Sequence, residues 1–255
     1  MVSFQKNATI ITKSFTRSWL NVKGCEDKMK PMIFSPSFLS ADFTNIEAEL
    51  HDLEAAGVKW VHLDVMDGLF VPNITFGPPV VKAMRAKSGL FFDAHLMIHE
   101  PARYVAAFAD AGADMITFHA EATGDIPATI EKIRETGCKV GIAINPGTSL
   151  ETILPFVPKV DMVLLMSVNP GFGGQKFIDI SEKICRLNDY CQKENLELDI
   201  QVDGGINTAT IHTVVKNGAN IIVAGSAILG KEDRRAAIDA LIEAVREGEE
   251  NDYCH

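Results

Sequence analysis

A short apolar segment near the start of the chain carries side chains that could perform acid–base or metal chemistry. Residues 60–68 read WVHLDVMDG and include His62, Asp64 and Asp67. Side chains on a strand alternate between its two faces, so His62 and Asp64 are expected to point the same way at the strand's C-terminal end. A buried imidazole and carboxylate are costly unless they pair or bind a metal. The segment therefore predicts a polar site built on one strand, with Asp67 beyond it in a loop.

Matching residues occur at the ends of other predicted strands. His95 ends the third such segment and Asp203 ends the seventh, while Asp93 shares a face with His95 and is expected to support a ligand. One isolated buried histidine is more often a core residue satisfied by a carboxylate, so it is the recurrence that favours a metal. Two imidazoles and two carboxylates suit one divalent ion, either zinc, iron(II), manganese or cobalt. The predicted metal ligands are His62, Asp64, His95 and Asp203.

Glycine-rich turns follow the sixth, seventh and eighth predicted strands. Each glycine could serve only a tight turn, but three such turns at one rim favour an anion site made by backbone N–H groups. The first of these turns, residues 171–174, could also close over the site. The predicted substrate-binding residues here are Gly171, Phe172, Gly173, Gly174, Gly204, Gly205, Gly225 and Ser226.

The elements that must position these residues follow a regular alternation from residue 32 onward. Strands are predicted near 32–36, 59–64, 91–96, 115–119, 139–144, 161–166, 198–202 and 220–224. Helices are predicted near 43–56, 78–87, 101–111, 125–136, 149–156, 179–195, 208–217 and 232–246. Eight βα units predict an α/β fold, a single-domain (β/α)8 TIM barrel, in which all the strand ends meet at one rim. An open doubly wound sheet is the alternative, but no G-x-G-x-x-G turn follows the first strand.

Composition limits the remaining classes of function. The chain has 255 residues, is 47% hydrophobic and carries a formal net charge of −10, which argues against a nucleic-acid partner. None of its five cysteines forms a C-x-x-C pair, so we expect free thiols in a reducing compartment. No apolar run is long enough to predict a membrane span. A barrel of this size is expected to form a homo-oligomer.

Three segments are predicted along the chain. Residues 1–31 are basic and rich in Ser and Thr, which fits a disordered extension, translation from an upstream start codon, or a targeting segment. Residues 32–248 form the catalytic barrel, and residues 249–255 are predicted to be a flexible acidic tail. The predicted location is the cytoplasm, or an organelle if residues 1–31 are a transit peptide.

A metal beside an anion site predicts a small phosphorylated substrate with a carbonyl and an adjacent hydroxyl. Such a metal acidifies the intervening C–H and stabilises an ene-diolate. Two carboxylates on opposite faces of that carbon would remove a proton from one side and return one to the other, which is an epimerisation. One base alone would favour an isomerase.

Long motifs in the chain closely resemble the ribulose-phosphate 3-epimerase family. They read SPSFLSADF at 35–43, HLDVMDGLFVPN at 62–73, AHLM at 94–97, LLMSVNPGFGGQ at 164–175, VDGGI at 202–206 and AGSAI at 224–228. The resemblance implies interconversion of D-ribulose 5-phosphate and D-xylulose 5-phosphate, in the pentose phosphate pathway or the Calvin cycle. It also implies that Asp64 accepts the proton and Asp203 donates one in one direction, and that Ser37 and His95 contact the substrate. The methionines implied to pack around the ene-diolate are Met66, Met97 and Met166.

Three alternatives remain beside this interpretation. Allulose-6-phosphate 3-epimerase resembles the family in metal site and mechanism. A related decarboxylase would carry Asp-x-Lys-x-x-Asp, whereas residues 62–67 have no lysine. A non-catalytic sugar-phosphate-binding barrel would not need both acids and both imidazoles.

Overall fold

The computed structural model describes residues 30–122 and 124–253. Within them, eight parallel strands form one sheet, surrounded by seven α-helices. The strands are β1 (Ile33–Phe34), β2 (Trp60–Met66), β3 (Phe91–Met97), β4 (Met115–His119), β5 (Lys139–Ile144), β6 (Met162–Met166), β7 (Asp199–Asp203) and β8 (Ile221–Val223). The helices are α1 (Ile46–Ala55), α2 (Pro78–Arg85), α3 (Pro101–Asp110), α4 (Ile126–Glu135), α5 (Ser181–Lys193), α6 (Ile211–Lys216) and α7 (Arg234–Tyr253).

The sheet closes into a barrel between β2 and the residues that follow β1. The sheet order runs β1-β8-β7-β6-β5-β4-β3-β2, and an isolated parallel bridge joins Ser37 to His62. The backbone N–H of His62 donates to the carbonyl of Pro36 at 3.0 Å. The predicted (β/α)8 barrel is thus confirmed, and its seam brings Ser37 next to the polar end of β2.

The strands form because their residues can be buried on both faces. All five residues of β6, MVLLM, are buried, as parallel strands covered by helices require. Proline stands at the first turn of α2, α3 and α4, where its missing N–H costs no helical hydrogen bond. After α3 the chain turns at Gly112, whose φ of +98° favours glycine.

The barrel interior changes from apolar to polar along its axis. At the N-terminal end Trp60 and Phe91 stack with ring centroids 3.9 Å apart. The in-register pairing of β2 with β3 then sets His62 beside Asp93, and Asp64 beside His95. The buried polar residues consequently lie toward the C-terminal ends of the strands.

The helix predicted at 149–156 is wrong. This stretch instead contains a short 3₁₀ helix, Leu150–Thr152, and a second one follows at Val157–Lys159. Pro155 would remove a backbone donor and clash with the preceding turn inside an α-helix, and Pro158 follows three residues later. The described part of the chain therefore has seven α-helices where eight were predicted.

The C-terminal segment also differs from the predicted flexible tail at 249–255. Helix α7 continues to Tyr253, so residues 249–253 are helical. Asp252 accepts from His212 Nε2 at 2.9 Å and lies 3.5 Å from Lys216 Nζ, which attaches the last turn of α7 to α6. Residues 254–255, and nearly all of the predicted 1–31 extension, lie outside the described residues.

No helix in the described ranges combines the length and the apolar character needed to cross a membrane.

Candidate active site and metal centre

A cavity of about 780 Å³ opens at the C-terminal ends of the strands. Asp64 and Asp203 line it together with Ser37, and the three predicted methionines and the residues of the glycine-rich turns form further parts of its wall. His62 and His95 are fully buried just below these carboxylates. The structure thus brings every sequence-predicted site residue to one end of the barrel.

Four side chains converge with the chemistry of a metal site. One ligand atom from each of His62, Asp64, His95 and Asp203 lies within 4.8 Å of the others. Asp64 Oδ1 is 3.5 Å from His62 Nε2 and 3.4 Å from His95 Nδ1, while Asp203 Oδ2 is 4.0 Å from His62 Nε2. Neutral imidazole nitrogens and carboxylate oxygens are the donors that first-row divalent ions use. The residues present fit such an ion.

A buried carboxylate orients the first imidazole from behind. His62 Nδ1 lies 2.8 Å from Asp93 Oδ2, which leaves Nε2 facing the other ligands. Asp93 also accepts from Thr117 Oγ1 at 2.8 Å and from Gln201 Nε2 at 2.9 Å. A metal-binding histidine typically gives its second nitrogen to such a partner. Asp93 therefore has the supporting position that the sequence predicted.

The second imidazole, that of His95, is linked to a carboxylate through another histidine. His95 Nδ1 is 3.0 Å from His62 Nε2, and His95 Nε2 is 2.8 Å from His119 Nε2. His119 Nδ1 in turn lies 3.2 Å from Glu121 Oε2. His95, His119 and Glu121 thus form a series of hydrogen-bonded side chains that leads away from the candidate metal site.

The two candidate acid–base groups have opposite electrostatic environments. Burial would raise the pKa of Asp64, but His62, His95 and the Ser37 hydroxyl lower it below its usual value. Burial and the nearby Asp64 carboxylate raise the pKa of Asp203 to about 7. One carboxyl is held ionised while the other retains a proton near neutrality, which is a pattern typical of paired acid–base residues.

The loop after β6 is tied to the loop after β2. Asn73 Nδ2 donates to the carbonyl of Gly171 at 2.8 Å. Gln175 Nε2 donates to the carbonyls of Asn169 at 2.6 Å and Phe172 at 2.9 Å. Phe172 itself is 56% exposed at the mouth of the cavity. These contacts give the glycine-rich loop a defined position over the candidate site.

Close backbone approach explains two glycines of the turn after β7. A Cβ on Gly204 would lie 2.5 Å from Val168 Cγ2, and one on Gly205 would lie 2.5 Å from the backbone nitrogen of Phe177. Both have positive φ, +124° and +64°. The turn after Asp203 can therefore fold against the neighbouring loop only with glycine at these positions.

Sequence reasoning left several polar residues of the site without a role. Thr117, His119 and Gln201 are buried at 1% exposure or less, and Glu121 lies two residues after the end of β4. The two-residue spacing of Thr117 and His119 was the available signal, because it puts both on the inner face of β4. Asp67 lies in the loop after β2, as predicted, where it accepts from the backbone N–H groups of Leu69, Phe70 and His99.

Comparison with known proteins identifies relatives over most of the chain. Residues 33–229 match the profile of the Ribulose-phosphate 3 epimerase family. Ribulose-phosphate 3-epimerase of Bacillus subtilis is 48% identical over 209 residues, covering 81% of this chain and 96% of that protein. The chloroplastic ribulose-5-phosphate-3-epimerase of Arabidopsis thaliana is 46% identical over 213 residues, covering 82% and 76%.

Structural similarity extends further than sequence similarity. The crystal structure of KGPDC from Streptococcus mutans superposes with a TM-score of 0.62 at 12% identity, covering 86% of this chain and 99% of that one. At that identity the likeness concerns the fold alone. The sequence relatives carry the assignment: the chain belongs to the ribulose-phosphate 3-epimerase family and is an epimerase.

Proposed function

We propose that this protein is a metal-dependent ribulose-phosphate 3-epimerase that interconverts D-ribulose 5-phosphate and D-xylulose 5-phosphate. The observation that carries the proposal is the pair Asp64 and Asp203, which line one cavity within a His2Asp2 cluster and have oppositely shifted pKa values. Family membership supports the same reaction. An ionised and a protonated carboxyl at one carbon are what a two-base epimerisation needs.

The proposed cofactor is one divalent ion, either zinc, iron(II), manganese or cobalt. It would be held by His62, Asp64, His95 and Asp203, whose donor atoms already converge. When bound, it would supply positive charge that acidifies the carbon next to the substrate carbonyl. The carboxylate behind His62 supports this assignment, because it leaves the other ring nitrogen directed at the cluster.

The proton transfers are assigned to the two aspartates. In the direction from ribulose 5-phosphate, Asp64 removes the proton from carbon 3 and leaves an ene-diolate. Asp203 then delivers its proton to the opposite face of the same carbon. One proton leaves and one returns, so the product differs only in configuration. Met66, Met97 and Met166 give the cavity an apolar, soft surface against which the planar ene-diolate can pack.

The phosphate is proposed to lie at the glycine-rich turns. Gly204, Gly205, Gly225 and Ser226 line the cavity after β7 and β8, and their backbone N–H groups are the proposed donors. Lys231 is the one cationic side chain among the described residues that line the cavity, so most of the binding must come from N–H groups. Residues 171–174 would cover the sugar, and Ser37 and His95 would contact it.

The biological setting follows from this activity and remains a proposal. The reaction belongs to the pentose phosphate pathway or the Calvin cycle, and a chloroplastic relative is known from a plant. A cytoplasmic location, an organellar alternative through residues 1–31 and a homo-oligomeric state stay predictions. So does the absence of a nucleic-acid partner, which the net charge of −10 favours.

The test compares turnover of the wild type and an Asp203→Asn variant in a coupled epimerase assay. We expect the variant to fold normally and to lose nearly all turnover, while Asp125→Asn, a matched change at the N-cap of α4, keeps wild-type rates. Metal analysis before and after chelation should show activity lost and regained with a divalent ion. Near-normal turnover of Asp203→Asn would remove Asp203 from the mechanism.

Substrate identity is tested separately. Wild-type protein should prefer ribulose 5-phosphate over allulose 6-phosphate in side-by-side assays. A large preference for the six-carbon sugar would replace the proposed substrate, and turnover of neither sugar by the metal-loaded protein would favour a binding role.

A further inference from the structure

A series of hydrogen-bonded side chains, His95, His119 and Glu121, runs from the candidate metal site to the loop after β5. Two members of this series are not metal ligands: His119, which is 1% exposed, and Glu121, which lies after β4. Neither touches the cavity, and neither has a part in the proposed proton transfers. An inference about them rests on the proposed metal, because it concerns how one ligand is held.

The distances fix the direction of each hydrogen bond once His95 is a ligand. His95 presents Nδ1 to His62 and Asp64, so this nitrogen must be unprotonated to bind a metal and the ring proton is on Nε2. His95 Nε2–H then donates to His119 Nε2, 2.8 Å away. Because His119 accepts through Nε2, its own proton is on Nδ1, 3.2 Å from Glu121 Oε2.

Glu121 is held so that it can only accept. Its Oε1 accepts the backbone N–H of Asn145 at 2.7 Å and also the hydroxyl of Thr148. Lys183 Nζ holds the same loop from the other side, through the carbonyls of Asn145 at 3.1 Å, Pro146 at 2.8 Å and Thr148 at 2.7 Å. Burial would raise the pKa of Glu121, but the hydrogen bonds from His119, Asn145 and Thr148 hold it at about 2.

We infer that Glu121, acting through His119, is a positioning residue that fixes the tautomer and ring orientation of His95 and thereby sets the affinity of the site for its metal. The arrangement parallels that of the other imidazole ligand, which has Asp93 directly behind it. Each histidine of the cluster is thus backed by a carboxylate, one in direct contact and one through an intervening imidazole. A carboxylate behind a metal-binding histidine raises its basicity and holds the ring in the binding orientation.

Glu121→Gln tests the inference because it reverses one hydrogen-bond direction while keeping the shape. The amide oxygen can still accept from Asn145 and Thr148, but the amide nitrogen then faces His119 Nδ1–H. His119 relieves this clash of donors by moving its proton to Nε2, which opposes His95 Nε2–H. His95 is thereby driven toward the tautomer protonated on Nδ1, which cannot bind a metal.

Zinc affinity of the purified full chain is the first measurement, by competition with a chromophoric chelator. We expect Glu121→Gln to bind zinc about 10–100-fold more weakly than the wild type. Glu151→Gln is the matched control, because this exposed glutamate pairs with Arg186 and has no contact with the series of hydrogen bonds from His95 to Glu121. Thr148→Val is the second control, because it removes a contact of Glu121 but leaves His119 untouched. Both controls should stay within about threefold of wild-type affinity.

The second measurement reads the tautomers directly in the zinc-loaded wild type. Nitrogen-15 spectra of the labelled histidine rings should give His119 protonated on Nδ1 and His95 protonated on Nε2. Wild-type zinc affinity in Glu121→Gln, an equal loss in Thr148→Val, or His119 protonated on Nε2 would each overturn the inference. If the wild type binds none of zinc, iron(II), manganese and cobalt, the proposed metal site itself is wrong, and this inference falls with it. The spectra keep the inference testable if Glu121→Gln does not fold.

Discussion

Ser37 and Asp64 meet across the seam of the barrel. Ser37 Oγ donates a 2.6 Å hydrogen bond to Asp64 Oδ2, while Asp64 Oδ1 faces the two imidazoles of His62 and His95. The two oxygens of one carboxylate therefore have different neighbours. Because Ser37 also forms the bridge to His62 that closes the sheet, barrel closure and the orientation of the candidate base depend on the same residue.

Replacing Ser37 by alanine should lower epimerase turnover without unfolding the barrel. A hydrogen bond to a charged group contributes about 1.5–3 kcal/mol, which corresponds to roughly 10–100-fold in rate if it acts mainly in the transition state. Steady-state assays of Ser37→Ala should therefore give a kcat reduced by about that factor. Thermal unfolding of the same protein checks that the fold is retained.

Ser35→Ala is the matched control for that change. Ser35 lies two residues earlier in the chain and is fully buried, and its hydroxyl has no hydrogen-bond partner in the described structure. Its turnover should stay within about twofold of the wild type. If the two alanine variants lose activity equally, the loss reflects packing at the seam and not the orientation of Asp64.

Isotope exchange should separate the duties of the two aspartates. In deuterium oxide, Asp203→Asn retains Asp64, so it should still exchange the carbon 3 proton of ribulose 5-phosphate while forming almost no xylulose 5-phosphate. Asp64→Asn should show the opposite preference, exchanging xylulose 5-phosphate. Mass spectrometry of the recovered sugars measures both. Equal exchange of both epimers by one variant would mean that a single base serves both faces.

The barrel could be predicted because its signals are local. Eight apolar segments separated by helical patterns and turn glycines gave the element order, and the strands of the structure match those positions. The error at 149–156 arose where an apolar pattern of helical appearance contains Pro155, whose ring prevents the helix. At 249–253 an acidic sequence favoured a loose tail, but Asp252 has basic partners on α6 that no local pattern reveals.

The candidate metal ligands were predictable for a related reason. Alternation along β2 aligned His62 with Asp64, and the common rim of a parallel barrel brought His95 and Asp203 to them. The supporting residues needed information that one sequence does not contain. Gln201 reaches Asp93 across the barrel, and Glu121 is held by the backbone N–H of Asn145 and the hydroxyl of Thr148, 24 and 27 residues later in the chain.

Metal affinity should rise with pH. Burial lowers the pKa of His62, but Asp64 and Asp93 outweigh it and raise the pKa to about 9 in the metal-free protein. The pKa of Asp203 is raised to about 7, while burial lowers that of His95 to about 4. Because the proposed reaction needs Asp203 protonated with the metal in place, only His62 must release a proton to the metal below pH 9.

The apparent zinc affinity should accordingly increase by about one decade per pH unit below pH 9. Chelator competition across pH 6–8 measures the slope, and calorimetry in two buffers of different ionisation enthalpy counts the protons released. An affinity that is independent of pH over this range would show that His62 is neutral before the metal binds.

Gly205→Ala should destabilise the protein by more than the cost of placing alanine in a left-handed backbone conformation. Gly205 has φ +64°, and an added Cβ would lie 2.5 Å from the backbone nitrogen of Phe177, so the expected cost is about 2–5 kcal/mol. Gly137 has φ +84° with no atom within 4 Å of such a Cβ, so Gly137→Ala should cost only about 1–2 kcal/mol. Urea unfolding measures both. Equal costs would mean that the loop carrying Phe177 moves aside, and the turn after Asp203 would then not depend on that close approach.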